Sequence, residues 1–470
     1  MTWTLADLAQ ATTGQIVQGD PALRVVGITI DSRHVQPGEA FVAIQGTRLD
    51  GHRFLDEAVQ QGAAAVIVSR LTPSDGGAGT VPTVLVEDTT AALGDLARFH
   101  RRRLGVPIIA VTGSCGKTTT KDMIAHMIGE PGTVLKTTGT QNNHIGVPLT
   151  LLRLDAGHQR AVVELGTNHP GEIAYLAGIV EPNVALITNV GPAHLEFFGS
   201  LLRVMQEKLS LLQALPSDGT VILPGDQLDV CLESQRFLPP GVRVVTFGSM
   251  DRCDLQALDV QRVEGATEGM SLRLRDLAQQ WFVPLPGYHN VENALAGIAA
   301  AWAIGVPLSD ARRRMVGFAA PALRSEILHG RSVTILNDCY NANPLSCARA
   351  LETLRDMPTG RKVAIVGDML ELGEFADAAH QAIGRLATQL GIDTVLAVGQ
   401  YAEHVARGVG DGVTARARTF GTVAELLEAL PRLVQAGDRI LVKGSRKLSL
   451  EHVTEFLMRR DREGHGPFVG

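Results

Sequence analysis

Apolar residues along the first hundred positions fall into short runs: VVGITI (25–30), AFVAIQG (40–46), AAAVIVS (63–69) and TVLVED (83–88). Glycine and polar residues break them up, as strands of a small sheet require. Between them, FLDEAVQQG (54–62) and AALGDLARFHRRRLG (91–105) place apolar residues at helical spacing. Residues 1–104 are therefore expected to form a small α/β domain. From 105 the pattern strengthens: VPIIAVTG, RAVVELG and NVALITNVG are continuous apolar runs ending in glycine, the signature of parallel strands buried on both faces. Helical stretches separate them, so 105–320 reads as a doubly wound sheet. GMSLRLRDLAQQWFVPLPG (269–287) alternates without a helix and predicts an antiparallel annex. From 321 a strand–helix alternation runs through SVTILND, KVAIVGD, TVLAVG and RILVKG, predicting a second, Rossmann-like sheet over 321–470.

Composition sharpens this picture only in places. With 470 residues the chain is too long for one core, and three α/β domains fit its length. The formal net charge of -6 argues against a general nucleic-acid binder. No apolar run approaches the roughly 18 residues that span a bilayer, and MTWTLADLAQATTG lacks the basic start and apolar core of a secretory signal. Five cysteines, odd in number and without zinc-type spacing, read as reduced thiols of a cytoplasmic protein. More telling is the lysine count. Of 43 basic residues, 36 are arginine and seven are lysine: Lys117, Lys121, Lys136, Lys208, Lys362, Lys443 and Lys447. An arginine cannot serve as a nucleophilic amine, so each retained lysine asks for a reason.

Lys117 has one. In IIAVTGSCGKTTTKDMIAHMI, Gly113-Ser114-Cys115-Gly116-Lys117-Thr118 follows a strand and opens a helix, the context of a P-loop. Backbone N–H groups and the helix N-terminus would hold phosphate oxygens there, Lys117 would reach the β- and γ-phosphates, and the Thr118 hydroxyl would hold Mg²⁺. The first glycine of the usual motif is Val111; a glycine turn capped by threonines is the plainer alternative. Glu164, in AVVELGTNHPGEI, sits at the end of the next strand, where an open α/β sheet meets its ligands. His194, in ITNVGPAHLEFFGS, lies beyond a third strand end, a position that a packed histidine could equally occupy. Lys208 follows in a helix capped by Ser200. A helical lysine is ordinarily a solvent-facing charge, and its scarcity here weakens that reading without overturning it.

Taken together these residues resemble the Mur ligases, ATP-dependent amide-forming enzymes of peptidoglycan synthesis. The resemblance covers nearly the whole chain: TGSCGKTT, ELGTNHPGEI, NVGPAHLEFFGS with a lysine fourteen residues after His194, GYHNVENALA, a junction arginine, NDCYNANP, GDMLELG and LVKGSR. In that family the helix lysine is carbamylated by CO₂, which would explain why Lys208 is not arginine. DCYNANP and DMLELG resemble the member that adds D-alanyl-D-alanine to UDP-N-acetylmuramoyl-tripeptide, the last cytoplasmic step of the pentapeptide precursor; the DNPR motif of the tripeptide-forming member is absent.

The resemblance implies further roles. ATP would be held by Gly113 to Thr119, including Cys115 and Thr119, by Asn290 and Asn293, and by Arg324 and Asp338 from the third domain. Two Mg²⁺ ions are implied, one on Thr118 and Glu164, the other on His194 and carbamylated Lys208. Ser32 and Arg33, within DSRHVQPGEAFVAIQGTRLDGH, with Asn142 and Asn143, would meet the UDP substrate. Asn343 and Glu371 would lie in the dipeptide site, although Asn343 before Pro344 also reads as a helix N-cap. Lys443 would contact ligand or neutralise nearby carboxylates. The expected enzyme is a monomer. Four positions depart from the family pattern: Leu323 for glycine, Asn337 for aspartate, Thr140 for asparagine and Ser210 for glutamate. The rival readings are a tripeptide-forming ligase, a folylpolyglutamate or cyanophycin-type synthetase, or a nucleotide-binding scaffold without catalysis.

Overall fold

The computed structural model describes residues 2–46, 49–71, 81–265, 268–275, 277, 279–410 and 416–463. Thr47 and Arg48 of the first-domain motif, and Asp276 and Ala278 of the annex stretch, lie outside them. The chain divides into two compact units. One comprises Met1–Ala110, Gly129–Gly166 and Ala174–Asn183; the other comprises Val111–Ile128, Thr167–Ile173 and Val184–Gly470.

In the first unit a five-stranded sheet runs Gln15–Gln18, Thr83–Leu85, Ala65–Val68, Ala40–Val42, Ile28–Thr29. Only the first pair is antiparallel. Its three inner strands are buried on both faces, and the alternation of side chains sorts them into two cores. Ala40, Val42, Ala65, Ile67 and Val84 pack with Leu5, Leu8 and Leu96. Phe41, Ala43, Val66 and Val68 face the other way, onto Leu55 and Ala58. Helix Thr89–Leu104 begins at Asp88, whose side chain accepts from the Thr90 and Ala91 N–H groups, and stops at Gly105 in a left-handed conformation. The same unit holds the parallel strands Val134–Lys136 and Arg160–Glu164.

In the second unit the strands Val184–Ile187, Thr220–Pro224, Arg243–Gly248 and Leu255–Val263 pair in parallel. Gly269–Leu274 and Gln280–Val283 then add antiparallel, the annex that the alternation predicted. Helix Tyr288–Ala303 follows. A six-stranded sheet completes this unit in the order Glu326–His329, Thr334–Asn337, Arg439–Lys443, Lys362–Gly367, Thr394–Val398, Arg416–Phe420. Four of these are the expected parallel strands; Glu326–His329, which pairs antiparallel, and Arg416–Phe420 are two that the apolar pattern did not reveal. Arg439–Lys443, last in sequence, lies between Thr334–Asn337 and Lys362–Gly367. Its Lys443 end therefore falls at the switch in strand order, where such sheets bind ligands. Among the described residues no helix is long and apolar enough to cross a membrane.

Candidate functional site

The P-loop is built by a strand that has nowhere else to put its chain. Ile108–Thr112 is wholly buried, and Gly113 to Gly116 must turn tightly to start the helix Lys117–Ile128. Two glycines make this possible. Gly113 has φ +152°, and a Cβ there would sit 1.9 Å from Thr188 Oγ1; Gly116 has φ +79°, and a Cβ would sit 2.3 Å from Asn293 Oδ1. The loop is braced from the segment after strand Val184–Ile187. The Ser114 and Cys115 N–H groups donate to the Asn189 carbonyl and Asn189 Oδ1 (both 3.0 Å). Thr188 Oγ1 donates to the Cys115 carbonyl (2.6 Å), and Ser114 Oγ donates to the Gly191 carbonyl (2.8 Å). Lys117 Nζ donates to the Gly113 carbonyl (2.8 Å), holding the ammonium over the loop. Thr118 and Thr119 lie buried in the first helical turn. Thr188 and Asn189, which sequence reading passed over, thus shape the cradle; their signal was their place at a strand end.

Asn290 and Asn293 stand in the first turns of helix Tyr288–Ala303, both buried. Their amides are engaged internally: Asn290 Nδ2 donates to the Pro286 carbonyl (2.8 Å), Asn293 Nδ2 to Asn290 Oδ1 (3.0 Å), and Thr120 Oγ1 to Asn293 Oδ1 (3.2 Å). Asn293 therefore occupies the space that Gly116 leaves.

Lys208 is 2% exposed, on helix Leu201–Leu209, whose first turn is capped by Ser200 as expected. Burial first, and the Lys117 ammonium second, push its amine down to about 7. The preceding Glu207 was not foreseen as a structural residue. Its carboxylate accepts from the N–H groups of Gly171 and Ile173 (both 2.8 Å) and from Thr167 Oγ1 (3.3 Å). It thereby locks the helix of Lys208 onto segment 167–173.

Glu164 belongs to the other unit. It ends strand Arg160–Glu164 and is 1% exposed. Its N–H donates to Thr137 Oγ1 (2.9 Å), and Asn142 Nδ2 donates to its Oε1 (2.8 Å). Oε2 is buried and has no hydrogen-bond partner. A buried carboxylate oxygen left without a partner is costly and is what a hard cation takes as a ligand. Among the described residues no three His, Cys, Asp or Glu side chains group as a metal site, so a cation held by Glu164 would need oxygens from other groups as well. Asn143 Oδ1 accepts from the Ile145 and Gly146 N–H groups. Also in this unit, the Ser32 hydroxyl donates to Glu57 Oε2 (2.5 Å), and exposed Arg33 is paired with Asp31.

His194 caps the short helix Leu195–Phe198 from a left-handed conformation, φ 54°. Its Nδ1 lies 2.5 Å from Glu371 Oε2, and Glu371 is itself left-handed, φ 62°. The hydrogen bond from His194 holds the Glu371 carboxyl below its usual range, against the opposing effect of burial. Two non-glycine residues in this region cost about 1–2 kcal/mol each. A pair with side chains 23% and 43% exposed returns only ~0.2–1 kcal/mol, so stability alone does not account for the arrangement.

The domain junction is also strained: Leu323 and Ser325 have φ 64° and 49°. Between them Arg324 lies over the Tyr340 ring at 4.0 Å. Asp338 fixes this turn, its Oδ1 accepting from the Ser325 N–H (3.1 Å) while Oδ2 pairs with Lys443 Nζ at 2.7 Å. Lys443 is buried and also donates to the Asp338 and Asn341 carbonyls; of its two expected roles, neutralising a carboxylate is the one seen. Asn343 is the N-cap of helix Pro344–Arg355, as the plainer reading had it, and its Nδ2 also donates to the Ser114 carbonyl (3.2 Å).

A P-loop strand end, a buried low-pKa lysine beside it, and a second parallel sheet carrying arginine and aspartate toward its switch point define a nucleotide-dependent ligase of the α/β class. The chain belongs to the Mur ligase family. Models described as Mur ligase family, catalytic domain; Mur ligase middle domain; and Mur ligase, glutamate ligase domain match residues 24–101, 111–301 and 323–446. The Escherichia coli UDP-N-acetylmuramoyl-tripeptide--D-alanyl-D-alanine ligase is 37% identical, over 97% of this chain and 98% of its own. The Bacillus subtilis enzyme of the same name is 34% identical over the same shares. Among solved structures, a MurF crystal structure from Acinetobacter baumannii superposes with a TM-score of 0.87 at 33% identity, covering 98% and 99% of the two chains. MurF from Thermotoga maritima in complex with ADP gives 0.81 at 29%, covering 93% and 98%.

Proposed function

We propose that this chain is the ATP-dependent ligase that joins D-alanyl-D-alanine to UDP-N-acetylmuramoyl-tripeptide. The observation that carries the reading is the match to curated ligases of that name across nearly the full length of both chains. A carboxylate does not react with an amine at neutral pH, because oxide would have to leave. Transfer of the γ-phosphoryl group of ATP to the tripeptide carboxylate gives an acyl phosphate and ADP. The free amine of D-alanyl-D-alanine then attacks the acyl carbon, phosphate leaves, and the amine proton passes to solvent or base. The first step brings anions together, so positioning and charge neutralisation dominate.

In this reading Lys117 and the loop Gly113 to Thr119 hold the phosphates. Asn290 and Asn293 set the shape of the nucleotide cradle, while Arg324 and Asp338 approach the nucleotide from the third domain. Glu164, with its orphan Oε2, and Thr118 would each offer an oxygen to Mg²⁺, as would His194 its ring nitrogen and Lys208, once carbamylated, its carbamate. The ions would neutralise phosphate charge and polarise the acyl oxygen. Carbamylation needs a neutral amine, which the buried Lys208 supplies. Ser32, Arg33, Asn142 and Asn143 face the UDP substrate, and Asn343 stands near the dipeptide. The three parts of the molecule are taken as 1–104 for UDP-substrate binding, 105–320 for ATP, and 321–470 for closure and dipeptide binding, in a cytoplasmic monomer.

ADP release with ATP, Mg²⁺ and UDP-N-acetylmuramoyl-tripeptide tests this directly. Turnover is expected with D-alanyl-D-alanine and not with single amino acids. Lys208→Arg should suppress it, and short carboxylates should partly restore Lys208→Ala. Turnover with a single amino acid instead would overturn the assignment.

A further inference from the structure

His194 and Glu371 are 177 residues apart in sequence, and each lies just beyond a parallel strand, Val184–Ile187 and Lys362–Gly367 respectively. Three contacts join their segments. His194 Nδ1 meets Glu371 Oε2 at 2.5 Å. The Glu196 N–H donates to the Glu371 carbonyl at 3.2 Å. Gly373, φ +54°, comes so close that a Cβ there would lie 3.2 Å from Glu196 Cα. Both residues of the side-chain pair hold left-handed backbone, a conformation that persists in non-glycine residues only where the surroundings over-determine it, and that clusters at functional sites.

The chemistry of the pair fixes a proton. An ionised carboxylate can only accept, so the hydrogen in this contact belongs to His194 Nδ1. A neutral imidazole protonated at Nδ1 presents its lone pair at Nε2, on the far edge of the ring. Histidines that serve cations are characteristically held in this way, by a carboxylate on the other nitrogen. Glu371 itself offers one oxygen to the histidine and its carbonyl to Glu196.

We propose that Glu371 is a positioning residue for His194: its carboxylate selects the Nδ1–H tautomer and leaves Nε2 as the nitrogen that would meet a cation. This rests on the reading of His194 as a magnesium ligand. It moves Glu371 from the dipeptide site, where the LELG motif had placed it, to the metal site. It also makes the orientation of the histidine depend on the loop that follows strand Lys362–Gly367.

Full-length protein and the variants Glu371→Ala, Glu371→Gln and His194→Ala provide the test, with two readouts. The first is the nitrogen NMR spectrum of ¹⁵N-histidine-labelled protein without nucleotide, the His194 signals being identified by their loss in His194→Ala. The second is the Mg²⁺ dependence of ADP release, measured beside the KM for D-alanyl-D-alanine. The wild type should show His194 as the Nδ1–H form, and Glu371→Ala should return it to a mixture of tautomers. The Mg²⁺ concentration at half-maximal rate should rise roughly tenfold in Glu371→Ala, with the dipeptide KM little changed. Glu371→Gln, which can still accept from Nδ1, should keep the tautomer and stay within about threefold of wild type. A raised dipeptide KM with unchanged tautomer and Mg²⁺ requirement would overturn the proposal and return Glu371 to the dipeptide. If His194→Ala raises the Mg²⁺ requirement and Glu371→Ala does not, this inference alone fails. If His194→Ala leaves the requirement unchanged, the reading of His194 as a magnesium ligand fails, and the inference with it.

Discussion

Lys208 titrates where most lysines are fully charged. Its amine is pushed from 10.5 down to about 7, chiefly by burial. Below pH 7 both the folded and the unfolded chain carry this charge, and the fold bears the whole desolvation penalty. Between pH 7 and 10.5 the unfolded chain retains a proton that the folded one has lost, so this group makes stability rise with pH through that window. Lys208→Met should therefore stabilise the protein by about 2–4 kcal/mol at pH 6 in urea unfolding, with the gain shrinking toward pH 10.5, while ligation is lost. A gain independent of pH would assign the effect to packing instead. The sequence hinted at this residue only through the rarity of lysine; its burial, which decides the chemistry, comes from the tertiary fold.

At the scale of elements, the strand ends do most of the positioning. Lys443 closes strand Arg439–Lys443 and, 2% exposed, holds Asp338 and the carbonyls of 338 and 341. Removing one partner of such a pair leaves an uncompensated charge. Lys443→Met should cost about 3 kcal/mol and weaken nucleotide binding, and Asp338→Asn in the same chain should recover part of the stability in a double-mutant cycle. Additive losses would show that the two do not work as a pair. The central strands were legible because they are continuous apolar runs. Within the six-stranded sheet the two that escaped, Glu326–His329 and Arg416–Phe420, are its edges. Exposed on one side, they carry EILH and RARTF, and such charged, short sequences are how edges avoid pairing with other chains.

Across the whole molecule, nucleotide and fold stability are linked by mass action. If the cradle binds ATP as proposed, ATP–Mg²⁺ at about 100 times its dissociation constant should add ~2.7 kcal/mol to stability, seen as a raised Tm. Lys117→Ala should abolish most of that shift without lowering the Tm of the free protein by a comparable amount. An unchanged shift would remove Lys117 from the phosphate site. The candidate nucleotide loop was legible because it is local: strand, glycines, lysine and helix lie within about twenty residues. What escaped was long-range. Nothing in GPAH or LELG announces that His194 will meet Glu371, or in QEKL that Glu207 will seize the backbone of 171 and 173, because such pairings arise only when distant strand ends converge.

The burial of Lys208 has one more consequence. Lys136 and Lys447 are exposed, so a bulky amine-directed reagent meets these lysines first. The one amine near 7 lies behind packed side chains. If Lys208 is carbamylated as proposed, its electrophile is carbon dioxide, linear, uncharged and three atoms long. Burial thus lowers the basicity of this amine and at the same time screens it from larger electrophiles.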